Sequence, residues 1–364
     1  MSGEETTAPE GISVEELQLA TRNHGMPLEA LRYDLTPAGM HYLLIHYDVP
    51  EVDPATWSLR IDGGVDRPAT FDLAALRARP RRTVTTTMEC AGNGRALLTP
   101  RAISQPWLRE AIGTAAWSGV PLTALLDEVG VRDDTVELVF TGLDRGIEGG
   151  IEQAYARSLP VMECRREEVL LADVMNGAPL LPQHGAPVRL LVPGWYGMTN
   201  VKWLARIDAV SEPFRGYQQE KGYRFRTNEH DPGDPVTRIA PRALVEPPGV
   251  PDFMTRARSA PPGPTLLRGR AWSGRGPIRA VDVSTDDGAT WATAELGPEI
   301  SPWAWRSWQA PWNATEGTHV IRARARDATG RVQPDEPTWN VGGYANNAVQ
   351  RVPVHVQGGI ETAG

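Results

Sequence analysis

Cysteine is nearly absent from this chain of 364 residues: only Cys90 and Cys164 occur, so no disulfide framework is possible. No CxxC pair exists to bind zinc or run dithiol exchange, and no CxxCH motif exists to attach haem. Long apolar runs are missing as well, and none approaches the roughly 20 residues a membrane-spanning helix needs. The opening stretch Met1 to Ile12 is acidic and polar, without the apolar core or twin arginine of an export signal, so a reducing cytoplasm is the expectation. Net basic charge is lacking too: the formal charge of -8 argues against a general nucleic-acid binder. What remains is a globular composition, 41% apolar and 23% charged, in a chain too long for one ordinary core. Two domains are expected, and no nucleic-acid or membrane partner.

Ser13 to Glu16 reads as a capping box opening a short helix that ends near Gly25. His41 to Asp48 and Trp57 to Ile61 read as strands. Thr83 to Thr87 is a β-branched run that breaks at Cys90 into the turn Ala91-Gly92-Asn93-Gly94, with Arg95 following. Pro121 opens an amphipathic helix with Leu122, Leu125, Leu126 and Val129 on one face. Val136 to Phe140 is a strand followed by a loop through Asp144, and Val188 to Val192 and Val201 to Ile207 are further strands. Mixed strands and short helices without regular alternation indicate an α+β first domain, residues 1–235. A Pro/Gly-rich segment, about 226–264, reads as an irregular crossing into an all-β immunoglobulin-like second domain, residues 236–364. There Ile321 to Arg326 alternates so strictly that Arg322, Arg324 and Arg326 share one face, read as solvated.

The chemistry-bearing residues cluster in three stretches: Arg22 and His24; Cys90 and Arg95; and His184, Arg189 and Lys202. A thiolate beside a fixed cation suits a soft metal or a nucleophilic role, because the positive charge lowers the thiol pKa. Taken singly, Cys90 reads first as a buried structural thiol, and zinc held by Cys90, His24 and His184 has no spacing signature to support it.

Together these stretches resemble the sulfite oxidase family of molybdenum enzymes. The resemblance rests on Arg22-Asn23-His24, on Met88-Glu89-Cys90-Ala91-Gly92-Asn93-Gly94-Arg95, and on Trp117 to Leu122, Thr141 to Asp144 and Met175 to Leu180. It continues through His184 to Arg189, Val192 to Gly194 and Asn200 to Trp203, and in the second domain through Gly269 to Gly274, Asp286 to Trp291 and Trp303 to Trp305. It implies an oxidoreductase carrying Mo-molybdopterin, with Cys90 as the protein thiolate on molybdenum. Arg22, His24, Asp144, His184, Arg189, Asn200, Val201 and Lys202 would hold the pterin and its phosphate. Arg22, Arg95, Trp107 and a tyrosine, Tyr223 ahead of Tyr217, would line the substrate side. The implied reaction is oxidation of sulfite to sulfate, with electrons passed to an external acceptor, either dioxygen or a separate redox protein. The family's second domain implies a homodimer, for which the tryptophans Trp303, Trp305, Trp308 and Trp312 could supply an interface or merely a core.

Two departures stand out. Gly94 and Gly342 occupy positions where the family's sulfite oxidases carry arginines, which implies weaker sulfite binding or another oxyanion or sulfur substrate. A reductase acting on nitrate or an S-oxide and a catalytically silent cofactor-binding or interaction protein are the competing readings. Cys164 has no counterpart in the family and reads as incidental.

Overall fold

The computed structural model describes residues 11–358; the stretch read as lacking an export signal lies, apart from Gly11 and Ile12, outside the described residues. Two sheets build the N-terminal part. One has the strand order Ala69–Asp72, Ser58–Gly63, Leu204–Val210, Glu137–Glu148, Ile151–Pro160. Its pairings are antiparallel except that Ser58–Gly63 runs parallel to Leu204–Val210, with Arg60 opposite Arg206. The other sheet is wholly antiparallel, placing Arg82–Glu89 beside Ile112–Pro121, then Leu170–Met175, which pairs with both Ala178–Pro179 and Arg189–Leu191.

The helix expected after Pro121 forms at Leu122–Val129 and buries Leu122, Leu125, Leu126 and Val129 between these layers. Cys164 sits in the same apolar cluster with its thiol directed at the Leu159 carbonyl, a small hydrophobe in practice. The capping box also forms, with Ser13 and Glu16 each accepting the other's backbone N–H. The helix Val14–Arg22 ends at Asn23, however, not at Gly25, because the Asn23 amide donates back to the Leu19 carbonyl.

The C-terminal part is two sheets facing across one core. Arg242–Val245, Gly263–Trp272, Arg306–Ala314 and Glu295–Leu296 form the first. The second has six strands, in the order Val250–Pro251, Arg258–Ala260, Val352–Val356, Gly317–Asp327, Ile278–Ser284, Ala292–Thr293. The Pro/Gly-rich segment is therefore more than a crossing, since it supplies three of these strands, and Arg242–Val245 is buried throughout. Trp308 and Trp312 fill the core between the sheets, and Trp305 packs in a cluster shared with the N-terminal part, so the tryptophans are spent on packing within the chain. Arg322 and Arg324 share a face as expected, but they pair with Asp335 and lie over the Trp291 ring instead of standing free in water. Among the described residues no helix is long and apolar enough to cross a membrane.

The two parts are tied through the strand that leads to Cys90. Thr87 donates its N–H to the Trp303 carbonyl at 2.9 Å, and its hydroxyl accepts from the Trp305 N–H at 2.7 Å. A third cluster, with Met26, Ile112, Tyr196, Tyr223, Trp272 and Trp305, fills the seam.

Candidate active site

The strand Arg82–Glu89 delivers Cys90 to the edge of a deep cavity, and the turn that follows is shaped by glycine. Gly94 has φ +92°, a left-handed conformation that a side chain would strain. Cys90 is 6% exposed and lies near Trp107, whose indole N–H has no hydrogen-bond partner. Burial pushes the Cys90 thiol up, while the Arg95 charge pulls it down.

The cavity is lined by His41, Tyr42, His46, Cys90, Asp144, Tyr155, His184, Arg189, Asn200, Lys202 and Tyr223, among others. Asp144 reaches it from a bulge inside the long strand Glu137–Glu148, where a register shift falls between Thr141 and Arg145; the sequence had suggested a loop. Asn200 is held by its side-chain amide oxygen accepting the Val192 N–H at 2.7 Å. Val201, by contrast, points into the apolar core, so only its backbone contributes, accepting the Leu190 N–H.

The cations here have carbonyls for partners rather than carboxylates. Arg189 donates to the His184 and Asn200 carbonyls at 3.0 Å each, and Lys202 to the Leu44 carbonyl at 2.8 Å. Desolvation pushes Lys202 down to about 7, Arg189 to about 10, and His184 to about 4. His41 and His46 both fall to about 3 for the same reason, and burial lifts Asp144 to about 6. His41 Nε2, Arg189 Nε and the Thr199 hydroxyl are buried with no partner. A pocket of desolvated donors in which Asp144 supplies the carboxylate fits an anionic, many-acceptor ligand such as a pterin phosphate. Among the described residues no group of three or more His, Cys, Asp or Glu side chains is placed to hold a metal ion, and the zinc set is not brought together, since His24 stands at the surface while Cys90 and His184 line the cavity.

Five expected residues do not line the cavity: Arg95, Trp107 and Val201 are buried but off its lining, and Arg22 and His24 sit at the surface. Arg22 donates to the Tyr47 carbonyl at 2.5 Å, and His24 pairs by backbone with Leu43. Their place is taken by the segment read as the strand His41 to Asp48, which is irregular. Its backbone is claimed by side chains: Ile45 N–H donates to Asn23, and the Leu44 carbonyl accepts from Lys202. His46 thereby points inward, its Nε2 2.5 Å from the Tyr223 hydroxyl. Leu44 stands two residues before it, so the Arg-x-His spacing of Arg22 and His24 is matched in the cavity by Leu44 and His46.

Of the two tyrosines expected at the site, Tyr223 lines the cavity, together with Tyr42 and Tyr155. Tyr223 is buried with φ +53°, a conformation held by its carbonyl accepting the Val236 N–H at 2.9 Å. Tyr217 instead packs against Gly149. Arg95 is buried with Nε donating to the Gly342 carbonyl at 2.9 Å, and its guanidinium lies 5.2 Å from the centre of the Tyr344 ring. Tyr344 in turn is 5.1 Å from the Tyr223 ring. The sequence pointed to neither His46 nor Tyr344: the first was hidden in an apparent strand, and the second lies some 250 residues from Cys90 in the chain.

Residues 46–218 match the "Oxidoreductase molybdopterin binding domain" family model, and residues 250–357 match the "Mo-co oxidoreductase dimerisation domain". The first match begins at His46, after Arg22 and His24. Sulfite oxidase of Gallus gallus is 36% identical over 337 residues, covering 87% of this chain and 72% of that protein. The chain belongs to the sulfite oxidase family of molybdenum-cofactor oxidoreductases. Mitochondrial sulfite oxidase of Rattus norvegicus is likewise 36% identical, over 88% of this chain, which spans 62% of that relative's length. Among solved structures, the sulfane dehydrogenase SoxCD of Paracoccus pantotrophus superposes with a TM-score of 0.79 at 26% identity, covering 98% of this chain and 96% of that one. The family's cofactor is Mo-molybdopterin, and the donor set of the cavity suits it.

Proposed function

We propose that this protein oxidises a small sulfur substrate by oxygen-atom transfer, sulfite being the reference case. One buried thiol sharing a cavity with desolvated cations whose partners are carbonyls rather than carboxylates is the observation that carries the reading. The bound molybdenum cofactor would supply the oxygen transfer; overall, sulfite and water give sulfate, two protons and two electrons, which leave to dioxygen or a separate redox protein. Cys90 is the soft ligand that anchors the metal. His41, Asp144, His184, Arg189, Asn200 and Lys202 hold the pterin and its phosphate. Arg95 orients the substrate anion, Trp107 keeps water from the thiolate side, and the Tyr223 hydroxyl hydrogen-bonded to His46 holds a proton beside the reacting oxygen.

Residues 1–235 form the catalytic domain in this reading, and residues 236–364 an immunoglobulin-like domain through which two copies pair. The cytoplasm is the proposed location. The test is an anaerobic sulfite titration of protein made in a host that supplies the cofactor, following the thiolate-to-molybdenum charge-transfer absorption. Bleaching supports the reading. A stable band that no sulfur substrate bleaches refutes it.

A further inference from the structure

The strand Ile151–Pro160 carries one residue for each member of the Tyr223–His46 pair. Tyr155 and Arg157 are two apart and so share one face of it. The Tyr155 ring lies against His46 with centroids 4.6 Å apart, and its hydroxyl donates to the Met198 carbonyl at 2.7 Å. The Arg157 guanidinium lies over the face of Tyr223, 5.5 Å from the ring centre. Arg157 is 3% exposed, and among the described residues it forms no ion pair; it donates to the Gln218 carbonyl, and its Nε has no partner. Gln218 is fixed in turn, its side-chain amide donating to the Tyr47 hydroxyl at 3.1 Å and to Glu148. It belongs to the short helix Tyr217–Glu220, just before Tyr223. Arg157 therefore ties the strand to the segment that carries Tyr223, whose backbone sits in the left-handed region at φ +53°. A guanidinium buried this far without a counter-charge works against stability. What it meets instead is the electron-rich face of the phenol.

We propose that Arg157 is a positioning residue for the oxidation, a fixed cation that holds the Tyr223 ring and hydroxyl in line with His46. The inference rests on the sulfur-oxidising reading above and adds to it a group that does not itself line the cavity. Arg95 lies over Tyr344 and Lys202 over Trp203, so Arg157 is, among the described residues, the cation on the Tyr223 face. Without it the ring keeps its aromatic neighbours, Tyr344 at 5.1 Å and His46 at 6.1 Å, but loses the charge that favours one orientation over the others. The same charge bears on the partner. Burial first, and then the charges of Lys202, Arg157 and Arg95, keep His46 unprotonated, so its Nε2 remains the acceptor of the Tyr223 hydroxyl.

The experiment is a double-mutant cycle on the holoenzyme, with sulfite as substrate and ferricyanide as acceptor. It compares wild type, Arg157→Met, Arg157→Lys, Tyr223→Phe and Arg157→Met/Tyr223→Phe. Arg157→Met is expected to lower kcat about tenfold while KM changes by less than about threefold, because Arg157 orients a proton-holding group and does not touch the substrate. Arg157→Lys keeps the charge without the planar fork and should return kcat to within about threefold of wild type. In the Tyr223→Phe background, Arg157→Met should cost no more than about twofold, since the hydroxyl it positions is already gone. Should Arg157→Met fail to fold or to retain cofactor, Arg157→Gln, which keeps a donor for the Gln218 carbonyl but no charge, takes its place in the cycle with the same expected losses. Losses that multiply in the double variant, or an Arg157→Lys no better than Arg157→Met, overturn the role of Arg157 while leaving sulfur oxidation intact. A charge-transfer band that no sulfur substrate bleaches in the wild type refutes the underlying reading instead.

Discussion

Glu89 and Arg242 form an ion pair at 3.0 Å with both side chains almost wholly buried, one from the residue before Cys90 and the other from the C-terminal sheets. The Trp272 indole and the Asn93 amide donate to the same carboxylate at 2.8 and 3.0 Å. Arg242 also donates to the Asn346 carbonyl. The thiol-bearing turn is therefore held from beneath by residues far away in the chain.

Breaking this pair on one side should be costly. Arg242→Met strands the Glu89 carboxylate and is expected to destabilise the protein by about 3–5 kcal/mol, whereas the double change Glu89→Gln/Arg242→Met should recover much of that. Urea unfolding of the three variants measures it. Equal destabilisation by the single and double variants would contradict the pairing.

Cys90→Ser should leave the apoprotein folded, since the exchange is nearly isosteric, but should abolish the thiolate charge-transfer band and lower turnover by roughly a thousandfold or more. Molybdenum content and the visible spectrum test this together. Retention of the band would assign it to some other sulfur.

His46→Ala should lower kcat by about tenfold to a hundredfold by removing the partner of the Tyr223 hydroxyl. Arg22→Ala and His24→Ala, both at the surface, should each change kcat/KM by less than about threefold. Steady-state kinetics with sulfite separates the two positions. A large loss on Arg22→Ala would restore the residue to the site.

Lys202→Met should stabilise the apoprotein yet prevent cofactor retention. Folding lowers the Lys202 pKa from 10.5 to about 7, so between these values the unfolded chain holds more protons, and wild-type stability rises with pH. The gain from Lys202→Met is thus largest at or below about pH 7 and fades as pH approaches 10.5. Thermal melts of both apoproteins across that range read the difference. A gain that grew with pH would contradict a buried, costly ammonium.

Much of the site was legible because it is encoded in short contiguous stretches. A β-branched strand ending in a Gly-rich turn located Cys90 and Arg95, and His184, Arg189, Asn200 and Lys202 fall within one run of 19 residues that folds around one end of the cavity. The failures have a different physical origin. Arg22-Asn23-His24 carried the expected residue types, but only Asn23 turns inward, and it does so to cap a helix and hold Ile45. His41 to Asp48 has the aromatic and apolar character of a strand, but side chains take part of its backbone hydrogen bonding, and its backbone pairing shrinks to the single bridge between Leu43 and His24. Tyr344 and Arg242 reach the site only through tertiary packing, which no local pattern reports. The Pro/Gly-rich segment was read as a crossing because proline suggests broken pairing, although Arg242–Val245 within it is a buried strand.

The clamp on Thr87 has a bearing on how such a protein can be cut or recombined. Removal of everything beyond residue 235 would leave the Thr87 N–H, the Glu89 carboxylate and the Arg95 guanidinium without the Trp303, Arg242 and Gly342 groups that satisfy them. The piece matching a molybdopterin-binding domain is thus no freestanding module. Grafting it onto another partner would require carrying over the C-terminal contacts too, and substitutions more than a hundred residues downstream of Cys90 can alter its chemistry without any change in the cofactor cradle.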